Sequence, residues 1–265
     1  MELTYAARTD IGMIRAGNED NLFHDADPYR GLFIVADGMG GHAAGEVASE
    51  MAVQIVAREL RGLRDLADAR SADKVKLSLR AANAAIFERT VTEVDKQGMG
   101  TTVSALLLAG GRYLIGQVGD SRVYLLRDGA LRQLTKDHSY VQEQVDAGFL
   151  TPEQARYHPY SNVITRCVGA GQDVEPDTYT GEVRAGDLFL VASDGLTGMV
   201  DDRRLQQLLL SRNSPGRLVD ALISEANGRG GLDNITAIVV QVVSVEDARL
   251  EQRTDETPAF RPTGG

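Results

Sequence analysis

The sequence predicts an α+β fold in which antiparallel sheets are covered by helices on their outer faces. Two observations carry this expectation. Short apolar runs bounded by glycine or Asp-Gly pairs recur in two blocks along the chain, and each block is accompanied by a pair of helical stripes. Strands that follow one another through tight turns, with helices grouped apart from them, suit antiparallel sheets better than alternating crossovers. With 265 residues, 43% hydrophobic and 25% charged, the chain is long enough for one large domain with a substantial core.

Taken in order, Leu3 to Thr9 and Leu22 to His24 read as short strands, and Leu32-Phe33-Ile34-Val35-Ala36 as a fully buried one. A glycine-rich turn follows. From Gly45 to Leu63, Val47, Ala48, Met51, Val53, Ile55, Val56 and Leu60 approximate a helical stripe. Asp73 to Val94 offers a second through Val75, Leu77, Leu79, Ala82, Ile86, Val91 and Val94, so these helices are expected to pair. Thr101 to Ala109, Arg112 to Val118, Ser121 to Arg127 and Ala130 to Leu134 alternate with Gly110-Gly111, Gly119-Asp120 and Asp128-Gly129. That spacing predicts a meander of hairpins. After a helix from about Ser139 to Ala147, the stretch Gly148 to Thr178 lacks clear periodicity and reads as a long surface excursion. Strands at Asp187 to Ala192 and Ile235 to Val243 flank helices near Asp201 to Leu210 and Pro215 to Asn227. The domain is expected to end at 244, with 245–265, charged and then Pro- and Gly-containing, lacking fixed structure.

The formal charge of −10 and pI near 4.9 disfavour nucleic acid and anionic membrane as partners, because long-range steering repels polyanions. A single cysteine, Cys167, cannot form an internal disulfide, and no run of apolar residues reaches membrane-spanning length. A soluble, cytoplasmic monomer is the expectation.

Chemistry is announced by where certain aspartates sit. Asp37 follows Phe33 to Ala36, Asp194 follows Leu188 to Ser193, Asp120 follows Ile115 to Gly119, and Asp233 precedes the strand beginning near Ile235. A carboxylate at the rim of a buried strand loses hydration, and several of like sign together cost several kcal/mol unless a cation cancels them. Asp-Gly pairs are also ordinary turn residues, and for Asp128-Gly129, which joins two alternating strands, that reading is preferred. Taken jointly with Asp20, the others point instead to a hard divalent cation, magnesium or manganese, held by oxygen ligands. Asp37 is the choice for a ligand shared between two ions, and glycine at Gly38, Gly40 and Gly41 allows close backbone approach, with the Gly38 carbonyl a further ligand candidate. Arg15, five residues before Asp20, is a candidate grip for an anionic substrate, although such an Arg is also a common surface ion-pair partner.

At these residues the sequence resembles the metal-dependent protein phosphatases of the type 2C class (PPM) in their compact bacterial form. The motifs are Asp10-Ile11-Gly12 with Arg15-Ala16-Gly17-Asn18-Glu19-Asp20, Val35-Ala36-Asp37-Gly38-Met39-Gly40-Gly41-His42, Gly100-Thr101-Thr102, Gly119-Asp120-Ser121-Arg122, Leu134-Thr135-Lys136-Asp137-His138-Ser139, Ser193-Asp194-Gly195-Leu196 and Asp233-Asn234-Ile235-Thr236. They occur in the family's order, over about Thr4 to Val243.

The resemblance implies a four-layer αββα sandwich, with metals in a channel at one end. It implies that Asp37 bridges two ions, that Asp194 and Asp233 hold the first, that the Gly38 carbonyl with Asp20 and Glu19, largely through water, holds the second, and that Asp120 with Asp194 holds a weaker third. Asn234 would support the site from beside Asp233, and Arg15 would stabilise phosphoryl oxygens during in-line attack by a water bridging the metals. The implied activity is hydrolysis of phosphoserine and phosphothreonine in proteins, opposing a serine/threonine kinase. Many eukaryotic relatives place a histidine two residues after the bridging aspartate as leaving-group acid. Met39 stands there in this chain, so His42 becomes the nearest substitute, alongside a metal-bound water. Gly148 to Thr178 corresponds to the family's flap.

Two other readings compete with this one. Gly38-x-Gly40-x-x-Ala43 after an apolar strand formally fits a dinucleotide fingerprint, but a second helix follows from about Asp73 where that fold needs a parallel strand. A degenerate domain that binds phosphoproteins without hydrolysis should lack the metal ligands, and all the matched aspartates remain.

Overall fold

The structure, a computed structural model, describes residues 1–40 and 43–245. His42 and the tail from 246 onward lie outside the described residues. The chain opens with strands β1 (Glu2–Asp10), β2 (Asp20–Asp27) and β3 (Arg30–Met39), then helices α1 (Ala43–Leu60) and α2 (Ala69–Thr92). Strands β4 (Gly100–Thr101), β5 (Val103–Ala109), β6 (Arg112–Val118), β7 (Arg122–Arg127) and β8 (Ala130–Gln133) follow, with short helices α3 (Tyr140–Asp146) and α4 (Pro152–Arg156). The chain continues through β9 (Asp177–Glu182), β10 (Leu188–Ala192), α5 (Asp194–Thr197), α6 (Asp202–Leu209), α7 (Pro215–Gly228) and β11 (Ile235–Ser244).

These strands form two antiparallel sheets, one ordered β1-β11-β10-β7-β8, the other β2-β3-β5-β6-β9 with β4 on the end of β3. The period-two alternation of strand side chains explains why the central strands are apolar at nearly every position. On β3, Leu32, Ile34 and Ala36 face the layer of α1 and α2, while Phe33 and Val35 point into the space between the sheets. On β11, Ala237 and Val239 face the helices α5 to α7, and Ile238 and Val240 meet Phe33, Leu106 and Phe189 between the sheets. Three cores therefore separate four layers, the αββα sandwich that the resemblance implied.

The elements differ from the sequence expectation in four places. The expected meander is divided: β5 pairs with β6 and β7 with β8, but β6 and β7 lie in different sheets, so Gly119-Asp120 is a crossing between layers, not a hairpin turn. The expected strand Thr101 to Ala109 breaks at Thr102, whose side chain and N–H bond to Asp37 in place of the ladder. The stretch Gly148 to Thr178 holds α4, started by a Thr151/Gln154 capping box with Pro152 in the first turn, and the first residues of β9. On α2, Val75, Leu79, Ala82 and Ile86 form the buried stripe, whereas Leu77 and Val91 face solvent. Among the described residues no helix is long and apolar enough to cross a membrane.

Candidate metal centre

Strand register brings the aspartates to one end of the sandwich. Asp20 at the start of β2 lies directly opposite Asp37 near the end of β3. In the other sheet, Ala192 at the end of β10 pairs with Ala237 of β11 on one side and Arg122 of β7 on the other. Asp194 just beyond β10, Asp233 just before β11 and Asp120 just before β7 consequently emerge at the same edge. Loops at strand ends can carry polar groups there because the paired strands below supply the rigidity.

Hydrogen bonds fix this array. The Asp37 N–H donates to Thr102 Oγ1 at 2.9 Å, and its carbonyl accepts from the Thr102 N–H and from Thr101 Oγ1, each at 2.9 Å. Thr102 Oγ1 in turn lies 2.7 Å from Ser121 Oγ, linking the Asp37 strand to the Asp120 turn. Gly38 must be glycine, since a Cβ there would lie 2.2 Å from the Gly45 carbonyl oxygen and 2.5 Å from that of Glu19. Buried Asp20 accepts from Ser193 Oγ at 2.9 Å and Thr236 Oγ1 at 2.6 Å, both through Oδ2. Asn234 is nearly fully buried; its Oδ1 accepts from the Glu19 N–H at 2.8 Å, and its Nδ2 donates to the carbonyls of Ile11 and Gly17, each at 2.9 Å. It thereby staples the 11–19 loop to the start of β11.

The electrostatics show what the array needs. Burial pushes the Asp37 carboxyl well above the usual range, and repulsion from Asp20, Asp194 and Asp120 adds to it. Burial likewise raises Asp120, aided by Asp194 and Asp137, and raises Asp194, aided by Asp233. Asp20 is raised to about 7, chiefly by burial. Glu19, half-buried, is raised by the same cause. Asp37 and Asp194 lie close enough to perturb each other, which is the cost of bringing like charges together in one place. Among the described residues no three acidic, His or Cys side chains are turned together in a formed ligand array. Asp20 is instead held by Ser193 and Thr236, and Asp233 by Arg15. The buried Oδ1 atoms of Asp20, Asp120 and Asp194 nevertheless have no hydrogen-bond partner. Unpartnered carboxylate oxygens on neighbouring strand ends are a donor set suited to hard divalent cations. By donor chemistry the residues fit such ions.

Arg15 Nη2 donates to Asp233 Oδ2 at 2.6 Å, so the guanidinium expected for phosphate rests on one of the expected ligands. This ion pair is half exposed and weak enough to exchange. The structure thus gathers Arg15, Glu19, Asp20, Asp37, Gly38, Asp120, Asp194, Asp233 and Asn234 at one place. His42 lies outside the described residues.

The sequence reading missed several supporting residues. Ser193 and Thr236 next to the motif aspartates bond Asp20, and His138 clamps the sheet-crossing turn: its N–H donates to the Gly119 carbonyl and its Nδ1 accepts from the Gly119 N–H, both at 3.0 Å. Ser193 and Thr236 each sit within the quoted motifs, which is the signal by which they were available. Arg122 reaches Asp137 through three bonds of 2.7 to 3.0 Å and Tyr124 at 3.0 Å, anchoring the other flank of Asp120. From the acidic cluster an open channel of about 800 Å³ runs between the flap residues Pro152 to Tyr157 and the α5–α6 region.

Comparison with known proteins agrees with this geometry. A family model described as Protein phosphatase 2C matches residues 15–220. The serine/threonine protein phosphatase PstP of Mycobacterium tuberculosis is 43% identical over 247 residues, covering 92% of this chain and 46% of that protein, so the chain spans about half the length of this curated relative. The serine/threonine phosphatase stp of Listeria monocytogenes is 40% identical over 237 residues, covering 88% of this chain and 94% of that one. Among solved structures, the catalytic domain of PstP in complex with two manganese ions superimposes with a TM-score of 0.81 at 42% identity, covering 91% of this chain and 99% of that one.

Proposed function

The chain belongs to the protein phosphatase 2C family, and from that premise we propose that it hydrolyses phosphoserine and phosphothreonine in other proteins with manganese or magnesium as cofactor. The observation that carries this reading is the cluster of buried Asp20 and Asp120 with half-buried Asp37 and Asp194, mutually repelling, in which Asp20, Asp120 and Asp194 each keep an unpartnered buried oxygen, beside an open channel. Asp37 would be shared by two ions, Asp194 and Asp233 would hold one, the Gly38 carbonyl with Asp20 and Glu19 the other, and Asp120 with Asp194 a weaker third. The manganese-bound structure of the mycobacterial relative supports a two-ion core. Bound cations would supply positive charge to the carboxylates, polarise phosphoryl oxygens and acidify water.

The chain's own residues do the rest. Ser193 and Thr236 hold Asp20 by one oxygen, leaving Oδ1 without a hydrogen-bond partner. Arg15 exchanges Asp233 for the substrate, where its fork grips two phosphoryl oxygens and stabilises the charge that spreads over them in the transition state. The bond from phosphorus to the serine or threonine oxygen breaks as one from water forms, and the departing oxygen takes a proton, for which His42 and a metal-bound water are the two candidate donors. No side-chain nucleophile is required.

The substrate class includes a serine/threonine kinase of the same cell or that kinase's targets. A monomer is the proposed unit, since every candidate site residue comes from one chain, and the free thiol of Cys167 accords with a cytoplasmic setting. The test is to strip the protein with a chelator and titrate metal while following para-nitrophenyl phosphate and phosphothreonine peptides. Turnover should vanish, return with manganese and return less fully with magnesium. Undiminished turnover in metal-free protein overturns the reading.

A further inference from the structure

Beside the proposed phosphate grip lies a group of large apolar side chains held out in water. Met13, Ile14 and Leu232 are 66%, 67% and 57% exposed, and Ile11 is 40% exposed. Apolar residues scattered singly on a surface carry no meaning, but these occupy two loops stitched together. The Met13 N–H donates to the Gly231 carbonyl at 2.8 Å, and Asn234 Nδ2 holds the Ile11 carbonyl at 2.9 Å. Gly231, at φ +49°, could bear no side chain, because a Cβ there would lie 2.8 Å from Met13 Cγ and 2.9 Å from Met13 N. The two loops are pressed together and their apolar side chains point away from any core, so their exposure is built in and not slack.

Position gives the patch its occupant. Ile14 immediately precedes Arg15, and Leu232 immediately precedes Asp233, the pair joined at 2.6 Å. Leu232 and Asp233 both line the channel that leads to the acidic cluster, so the patch continues the channel wall. The same channel is bordered by Glu153, Asp201 and Asp202, which would repel acidic residues carried in beside a phosphate. We propose that Met13, Ile14 and Leu232 form a docking surface for a bulky apolar side chain of the substrate protein, lying within three residues of the phosphorylated serine or threonine. The distance follows from chain geometry: an extended substrate advances about 3.3 Å per residue, so three residues span about 10 Å, the reach of an arginine side chain plus one neighbouring residue. A surface already rigid spends little ordering entropy on binding, which favours selectivity. This inference rests on the phosphatase reading of the site, and names the kind of substrate that site selects.

The test uses the full chain with manganese and a set of phosphothreonine peptides in a Ser/Gly background, with Leu placed singly at each of the three positions on either side. At one or more positions kcat/KM should rise roughly tenfold over the Leu-free peptide, through KM. Met13→Ser and Ile14→Ser should erase that preference while leaving turnover of para-nitrophenyl phosphate unchanged, since that substrate has no flanking residue. Normal turnover of para-nitrophenyl phosphate with no preference among the peptides overturns the docking surface and leaves the phosphatase reading standing. Absence of turnover on every substrate overturns both. A shift in sedimentation from dimer to monomer in the Ser variants, with peptide preference unchanged, assigns the patch to a second copy of the chain and refutes the proposal.

Discussion

Replacing Asn234 by Ala removes the staple between the 11–19 loop and β11, and the structure sets its magnitude. Three bonds of 2.8 to 2.9 Å disappear, to the Glu19 N–H and to the carbonyls of Ile11 and Gly17. Ile11 and Gly17 are exposed and water can take over at their carbonyls, so each accounts for about 1 kcal/mol; the Glu19 N–H sits deeper, and losing its partner costs about 2 kcal/mol. The sum, about 4 kcal/mol, is a large part of a typical folding stability of about 5–15 kcal/mol. The midpoint should drop by roughly 10 °C. Urea unfolding followed at pH 7.5 in chelator measures the loss directly, without the stabilisation that bound metal adds. Asn234→Asp sharpens the test. A carboxylate would still accept from Glu19 but would confront two carbonyls beside Asp233, so this variant should be no more stable than Asn234→Ala at pH 8 and should recover as the pH falls and its acid is protonated. A loss below about 1 kcal/mol in the Ala variant, or wild-type stability of the Asp variant at pH 8, would refute the stapling role.

Asp37→Ala should abolish both core metal binding by calorimetry and hydrolysis, whereas Asp120→Ala should keep the two core ions and lose activity more severely on phosphoprotein than on para-nitrophenyl phosphate, whose phenolate needs little acid assistance; core ions lost from the Asp120 variant would show the ligand assignment to be wrong. Arg15→Ala removes the partner of Asp233, so manganese should bind as tightly or a few-fold tighter while KM for phosphopeptide rises at least tenfold; weakened metal binding would place Arg15 among the metal supports. Stability should also depend on pH through the cluster. Asp20 titrates at about 7 in the fold and near 4 in the unfolded chain, so between those values the folded metal-free protein holds a proton that the unfolded chain has lost. Stability from this group therefore falls as pH rises from about 4 to 7, by on the order of 4 kcal/mol. His138, whose pKa burial lowers, acts in the opposite sense with or without metal. The gap between manganese-loaded and metal-free midpoints should accordingly widen from pH 5 to 7; a flat or narrowing gap would contradict the electrostatics of the cluster.

Much of this molecule is legible in local pattern. The Leu32 to Ala36 run, the helical stripes at α1 and α7, and aspartates following apolar runs at Asp37 and Asp194 are features of consecutive residues, and they sufficed for the α+β layering and for a metal-seeking acidic site. What local pattern could not carry is which strand lies beside which. Gly119-Asp120 between two apolar strands looks like any hairpin turn. Only packing against Thr102, whose side chain a Cβ at Gly119 would strike at 2.6 Å, and the clamp by His138 send it from one sheet to the other. The same holds for β9: its polar sequence, Asp177 to Glu182, has no apolar alternation of its own and becomes a strand by pairing along β6. Around the site, Ser193 just past β10 and Thr236 in β11 reach Asp20, 173 and 216 residues away in sequence, and Arg15 meets Asp233 across 218. Periodicity reports the environment of one segment, whereas a hydrogen bond between distant segments exists only once their layers have packed; the ligand candidates belong to the first kind of information, and the network that holds and charges them belongs to the second.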